Sequence, residues 1–458
     1  VRAHHPEPTA RRIEGKAPAD RELLDHLIAA EIGRAEQAGR VHGKGWGRAT
    51  RRTSRPVVDN IGHHCVRPGN FAPLGPSPAE RFVTTSARNS SHSPGDVLVL
   101  VGTTKAAFIA TSDANRTSWT LDGPHFPGES VYSLAYDQRG GRSRLLVATW
   151  SNHWGATIRL SDDFGATWTG PERQAVRFPE TSGLSLAQVW QIVPGYSDEP
   201  DVVWAGVEPA ALFRSADGGE SWTPVEGLLD HPQRPQWMPG GGGLCLHTIV
   251  RDPNDRQRMG IAISTAGFYR TDDGGATWHA RNSGVRCVFL PNQYPEFGQC
   301  VHKVVSHPAR PERLFLQNHW GLYRSDNWGD DWQDIANGVP SDFGFAMQMH
   351  PHDPDTVYIV PIQSDAFRVV AESKLRVYRT RNAGASWEPL ANGLPQSDAY
   401  ECVLRDSLTA DTHQSAGLYF GTRGGKLYGS SNDGDQWSAI ADALPPICCV
   451  KASVIGAS

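Results

Sequence analysis

One short pattern recurs at a nearly constant interval, and a fixed period of this length fixes an architecture before any single element is assigned. The clearest copies place Ser161, Asp163, Gly165, Thr167 and Trp168 in the same spacing as Ser215, Asp217, Gly219, Ser221 and Trp222, and as Thr271, Asp273, Gly275, Thr277 and Trp278. Looser copies end at Trp332, Trp387 and Trp437, and a degenerate first copy over residues 111–119 lacks the glycine. The seven tryptophans, starting at Trp119, are separated by 49, 54, 56, 54, 55 and 50 residues, room for one four-stranded unit per period. The chemistry of the pattern is structural. A short Asp or Asn side chain can bond the backbone of a tight turn, glycine supplies positive φ, and the tryptophan folds back as an apolar anchor. Runs rich in β-formers, such as residues 211–214 and 267–270, lead into the pattern, which is therefore expected to turn a hairpin between the third and fourth strands of each unit.

These boxes resemble the Asp-box, or BNR, repeat of bacterial sialidases, sortilin-type receptors, some glycoside hydrolases and a photosystem II assembly factor. The whole repeat region is similar to bacterial BNR-repeat proteins of sialidase-like or glycosyl hydrolase-like type, with a WD40/YVTN-like ring. The resemblance implies an all-β, seven-bladed β-propeller with its Asp-box hairpins on the outer rim, away from the ligand face. Strand counting closes the ring. The first unit lacks an inner strand, and residues 447–455 are expected to supply it by pairing beside residues 96–101, leaving no open edge. A chain of 458 residues would otherwise suggest about three domains of about 150 residues. The repeat predicts instead one propeller over residues 96–458 behind an extension, residues 1–95.

That extension is differently composed. It holds 15 Lys and Arg against 9 Asp and Glu, a balance of +6, whereas residues 96–458 hold 29 against 40, a balance of -11. Only residues 21–40 have helical periodicity, through Leu23, Leu24, Leu27, Ile28 and Ile32, and the remainder reads as irregular and mostly disordered. Its arginines lack interleaved aromatics, so nucleic acid is not an expected partner. The extension should be dispensable for the main fold, and the initial Val1 is also consistent with a start codon placed too far upstream. No apolar run reaches 18 residues, no secretory pattern opens the chain, and seven dispersed cysteines fit a reducing compartment. The expectation is a cytoplasmic protein with no membrane association.

Candidate chemistry lies in the loops that surround the channel mouth, where residues 171–188, 224–245 and 280–300 far exceed ordinary connections. The carboxylates there are Glu208, Glu296, Asp342 and Glu401, candidates for the pair that glycoside hydrolysis requires, with Glu208 and Glu296 favoured. Each is equally able to cap a loop. The tetrapeptide Asn-His-Trp-Gly occurs twice, placing His153 with Trp154 and His319 with Trp320 where they can stack on a sugar, although descent from one ancestral blade also explains the pair. Arg234 and Trp237 adjoin a glycine run over residues 240–243, which suggests close backbone approach to a ligand or to the channel wall.

Cys245 with His247 and Cys300 with His302 repeat one spacing at the start of two inner strands, and Cys402 and Cys449 fall at comparable positions. Such a set suits zinc, or it consists of small buried thiols at blade contacts with imidazoles satisfied by backbone, the reading preferred here, so no cofactor is expected. The sialidase arginine triad, GxSxG, HExxH and the phosphate-loop motif are absent from the sequence. Two functional readings remain. One is a propeller binding a carbohydrate or other small ligand at the channel mouth, with hydrolysis by a carboxylate pair. The other is a non-catalytic scaffold for a protein partner. The fold permits both.

Overall fold

The computed structural model describes residues 92–456, so the helix expected near residues 21–40 lies outside the described residues. Those residues form an all-β, seven-bladed propeller. Blade 1 contains β1 (Val97–Thr103), β2 (Ala107–Ser112) and β3 (Thr120–His125); blade 2 contains β4 (Ser130–Asp137), β5 (Arg144–Ser151) and β6 (Gly155–Ser161). Blade 3 is β7 (Gln188–Pro194), β8 (Val203–Glu208), β9 (Ala211–Ser215) and β10 (Thr223–Pro224). Blade 4 is β11 (Leu246–Arg251), β12 (Met259–Ile263), β13 (Gly267–Thr271) and β14 (His279–Ala280). Blade 5 is β15 (Val301–His307), β16 (Arg310–Asn318), β17 (Leu322–Ser325) and β18 (Gln333–Asp334). Blade 6 is β19 (Gly344–Met349), β20 (Val357–Pro361), β21 (Val377–Thr380) and β22 (Glu388–Leu390). Blade 7 is β23 (Leu408–Ala410), β24 (Leu418–Gly421), β25 (Leu427–Ser430) and β26 (Ser438–Ala441), and the last strand is β27 (Ile447–Val454).

The ring closes as the strand count requires. β27 pairs antiparallel with β1, from Val97 opposite Val454 to Gly102 opposite Cys449, and becomes the inner strand of blade 1. The sheet then buries both faces, and β1 accordingly reads as an unbroken apolar run from Val97 to Val101. Packing at the joint is close: a Cβ on Gly102 would lie 2.5 Å from Cys449 Sγ and 2.7 Å from Val131 O.

Blade 2 departs from the expected four strands. Thr169 makes the first rungs, its N–H donating to Leu160 O at 3.0 Å and its hydroxyl accepting from Leu160 N at 3.0 Å. Gly170 and Pro171 then end the pairing, since proline has no N–H for a ladder, and the blade stops at three strands.

The repeated turns share one hydrogen-bond scheme. In the turn after β13, Gly275 N donates to Thr271 Oγ1 at 2.9 Å and Thr277 N donates to Asp273 Oδ1 at 2.8 Å. The same two bonds recur at Ser161 and Asp163, and again at Ser430 and Asn432. These bonds, led by that from the Thr277 hydroxyl, hold the Asp273 carboxyl down at about 2. Three anchor tryptophans reach the blade before their own, Trp332 Nε1 donating to Arg281 O at 2.9 Å, Trp387 Nε1 to Ile335 O at 2.8 Å, and Trp119 meeting Tyr419 edge-on at 5.5 Å, whereas Trp222 and Trp278 donate to Gly219 O and Gly275 O of their own turns. Those three therefore join blades to one another. No helix among the described residues is long and apolar enough to cross a membrane.

Candidate functional site

Six inner strands carry the same irregularity at one end, and it decides which side chains reach the channel mouth. In β4, Val131 pairs with Thr149 and Ser133 with Ala148, leaving Tyr132 as an extra residue. Trp190 in β7, His247 in β11 and His302 in β15 are extra in the same way, one residue is extra between Gly344 and Met347 in β19, and Cys448 is extra in β27. A bulge breaks strict alternation and re-aims its side chain. Below the bulges the inner strands turn Ser133, Gln191, Lys303, Gln348, Thr409 and Lys451 into the channel, where Lys303 is paired with Asp406.

On one side of the mouth, Trp190 Nε1 donates to Glu208 Oε2 at 2.9 Å, and the Arg405 guanidinium lies 5.4 Å from the Trp190 ring centroid. Arg405 Nη1 approaches Cys245 Sγ at 3.7 Å, while its Nε is buried without a hydrogen-bond partner among the described residues. Tyr132 meets Trp190 edge-on at 5.1 Å, and burial pushes its phenol up to about 12. Indole, carboxylate, guanidinium and phenol thus converge where the inner strands open.

Toward blades 5 and 6 the mouth is aromatic. His319 sits between Phe289 at 4.9 Å, Trp320 at 4.4 Å and Phe343 at 5.0 Å, and His302 packs on Phe345 at 4.6 Å. The Arg368 guanidinium stands 5.4 Å over Phe345. Phe289, with Val288, Leu290 and Tyr294 of the same loop, is exposed.

The residues singled out by sequence fall into distinct groups. Glu208 stands at the mouth, and the glycine run explains itself there: a Cβ on Gly243 would lie 2.0 Å from Glu208 Oε1, so the close backbone approach is to this carboxylate. Glu296 belongs further out, accepting from Gln233 Nε2 at 3.1 Å, and Gln233 in turn accepts from the Tyr269 hydroxyl of β13 at 2.9 Å. Glu401 accepts from Gly424 N at 3.0 Å, and Asp342 lies on the His319 side, where its charge favours the imidazolium. No two of these four carboxylates share a hydrogen-bond partner among the described residues. His153 and Trp154 pair with each other at 4.6 Å in the β5–β6 turn of blade 2.

Several expectations are corrected. Trp237 is buried rather than at a rim, donating from Nε1 to Tyr269 Oη at 2.9 Å and stacking on His231 at 5.5 Å. Arg234 is spent on the same loop, bonding Ala210 O and covering Trp237 at 5.8 Å. His247 is fully buried with both ring nitrogens used, Nε2 at 2.9 Å from Val301 O and Nδ1 at 3.0 Å from Thr248 Oγ1. Burial and the charge of Arg405 keep it neutral, its pKa well below the ordinary imidazole value. The set Cys245, His247, Cys300 and His302 is therefore not assembled, and Cys245 bonds Ser264 instead.

With this geometry in view, two curated relatives bear on the chain. A probable oligoxyloglucan-reducing end-specific xyloglucanase of Neosartorya fischeri is 22% identical over 270 residues, 51% of this chain and 30% of the relative. A xyloglucanase of Paenibacillus sp is 23% identical over 273 residues, 51% of this chain and 24% of the relative. The chain is a seven-bladed propeller with xyloglucanase-like relatives. It spans less than a third of the length of the two curated relatives it matches. Among solved structures, the Niastella koreensis GH74 enzyme aligns at TM-score 0.44 and 14% identity, over 78% of this chain and 66% of that one. No family model matches.

Trp190, Arg405, Tyr132, Phe289, Phe343, Phe345 and Arg368 were not anticipated. A signal did exist for the bulged positions. Val131-Tyr132, Val189-Trp190, Leu246-His247, Val301-His302 and Ile447-Cys448 each set a buried apolar residue before a chemically distinctive one at the start of an inner strand.

Proposed function

We propose that the chain is a BNR/Asp-box propeller of glycoside hydrolase-like type that holds a carbohydrate across its channel mouth. The observation that carries this reading is the convergence of Trp190, Glu208 and Arg405. An indole face stacks on the apolar face of a sugar ring, while a carboxylate and a guanidinium bond its hydroxyls. Phe289, Trp320 and His319 extend the platform, so the occupant is several sugar rings long. The curated relatives support a glucan with xyloglucan-like substitution. If hydrolysis occurs, Glu208 is the proton-transfer group, with one of the other mouth carboxylates as its partner.

The test is calorimetry and product analysis on the full chain with xyloglucan oligosaccharides and unsubstituted β-glucans. Trp190→Ala should weaken binding by about tenfold or more, and Glu208→Gln should lower turnover by about 10²-fold or more with binding retained. Absence of both binding and turnover rejects the proposal. The exposed loop containing Val288, Phe289, Leu290 and Tyr294 favours a second reading, a non-catalytic scaffold docking a protein on this face. Under that reading no sugar stabilises the chain against heat.

A further inference from the structure

Cys300, His302 and His319 meet at the aromatic side of the mouth, and no pair of their ligand atoms is farther apart than 4.8 Å. Their meeting follows from strand register. Val301 pairs with Asn318, and His319 N donates to Cys300 O at 2.9 Å, which sets His319 beside Cys300 across the β15–β16 pair. The bulge then turns His302 back, leaving its Nε2 3.5 Å from Cys300 Sγ. Ligand atoms on a tetrahedral zinc ion, at about 2.0–2.3 Å from the metal, stand about 3.3–3.6 Å from one another. The Cys300–His302 pair already has that separation, and His319, within 4.8 Å of both, closes on them to fill the third position.

The surrounding groups orient the two imidazoles as ligands. His302 Nδ1 donates to Gly344 O at 2.6 Å, which leaves Nε2 as the lone-pair nitrogen facing the thiol. His319 Nε2 is bonded to Asp365 Oδ2 at 3.2 Å, which leaves Nδ1 for a metal. A carbonyl or carboxylate on the far nitrogen fixes ring orientation and raises ligand basicity at metal sites. Phe343 and Phe345 wall the cluster, while Cys300 is only partly buried, so a fourth position opens toward the mouth.

We propose that Cys300, His302 and His319 bind a zinc ion through one sulfur and two nitrogens, with Asp365 as the positioning residue and the fourth position open to water or to a ligand in the channel mouth. Zinc accepts thiolate and imidazole together without a demand for planar or octahedral geometry. Burial raises the Cys300 thiol to about 11 and holds His302 neutral. The imidazoles are thus in their ligating form, and the thiol gives its proton to solvent as the zinc–sulfur bond forms. Arg405 and Arg368 repel a cation here, yet Arg405 also favours the thiolate and both favour neutral imidazole.

The test is a cobalt(II) titration of the full chain, stripped of metal beforehand, followed by absorption. One equivalent of Co²⁺ should produce a thiolate charge-transfer band together with the intense d–d bands of a tetrahedral ion, and Zn²⁺ should erase both. Cys300→Ser should remove the charge-transfer band, Asp365→Asn should weaken Co²⁺ binding by about 10- to 100-fold, and Cys448→Ser should change neither. Circular dichroism and melting of each variant establish that it is folded. A band that survives Cys300→Ser, a band lost in Cys245→Ser, no band in the unsubstituted chain, or Co²⁺ that zinc fails to displace would each overturn the proposal.

Discussion

Glu208 shows how a single side chain acquires a candidate role through its neighbours. The Trp190 N–H fixes one oxygen at 2.9 Å, the Gly243 backbone passes beside the other, and Arg405 lies against the same indole. The histidines at the equivalent bulges carry a measurable consequence. Burial depresses the pKa of both His247 and His302 well below the ordinary imidazole value of about 6.5. The unfolded chain therefore takes up protons that the folded chain refuses. Stability is fully present above about pH 6.5 and falls as pH drops below it toward the folded-state values, by up to about 1.4 kcal/mol per pH unit for each histidine. Thermal melting between pH 7 and pH 5 checks this: His247→Gln should flatten the slope, and an unchanged slope would refute the assignment. At this scale the sequence was partly legible. Glu208, His302, His319 and Trp320 were singled out by type and position, but Arg234 and Trp237 look equally functional in sequence. Only the Ala210 carbonyl and the Tyr269 hydroxyl, 24 and 32 residues away from them, show that both are consumed in folding their loop.

Two elements organise the molecule, and they differ in how far they can be read in advance. The repeated turn is local: donor and acceptor lie within four residues, as from Thr277 N to Asp273 and from Gly275 N to Thr271, so its chemistry is written in consecutive letters. Gly275 holds φ at +99°, and a Cβ there would stand 3.0 Å from Val225 Cγ1. Gly275→Ala should cost about 1–2 kcal/mol, seen as a lower denaturant midpoint at unchanged slope, whereas Gly241→Ala, in open space, should cost less than half as much. The bulge is not local. Tyr132 is extra only because Thr149 and Ala148 pair around it, and the Val131-Tyr132 signal becomes readable only when the equivalent positions of several blades are compared. Hence the spacing of Cys300 and His302 puts them in contact at 3.5 Å, whereas the same spacing leaves Cys245 on Ser264 and His247 on the Val301 carbonyl. The missing fourth strand of blade 2 was written in Gly170 and Pro171, and the period of the repeat outweighed that local signal.

For the whole molecule, closure is the property on which the channel mouth depends, because Cys448 and Cys449 on β27 stand beside Tyr132 and Val131 of blade 2. Gly102→Val should place atoms inside the Cys449 and Val131 contacts and cost at least about 1–3 kcal/mol, measured by thermal melting, with β1–β27 amides losing hydrogen-exchange protection first. The ring itself was fully legible, since seven periods and a displaced last strand admit one closed arrangement. The mouth was not, because it is assembled from residues on different blades, such as Trp190 and Arg405, which only the closed ring brings together. The most direct test of the account is calorimetric titration of the full chain, its Trp190→Ala variant and its Asp217→Asn variant with one xyloglucan oligosaccharide. Asp217 lies in a repeat turn at the other end of the strands from the mouth. Saturable binding to the full chain is expected, retained in Asp217→Asn and weakened about tenfold or more in Trp190→Ala. Equal affinity in all three, or binding in none, would contradict it.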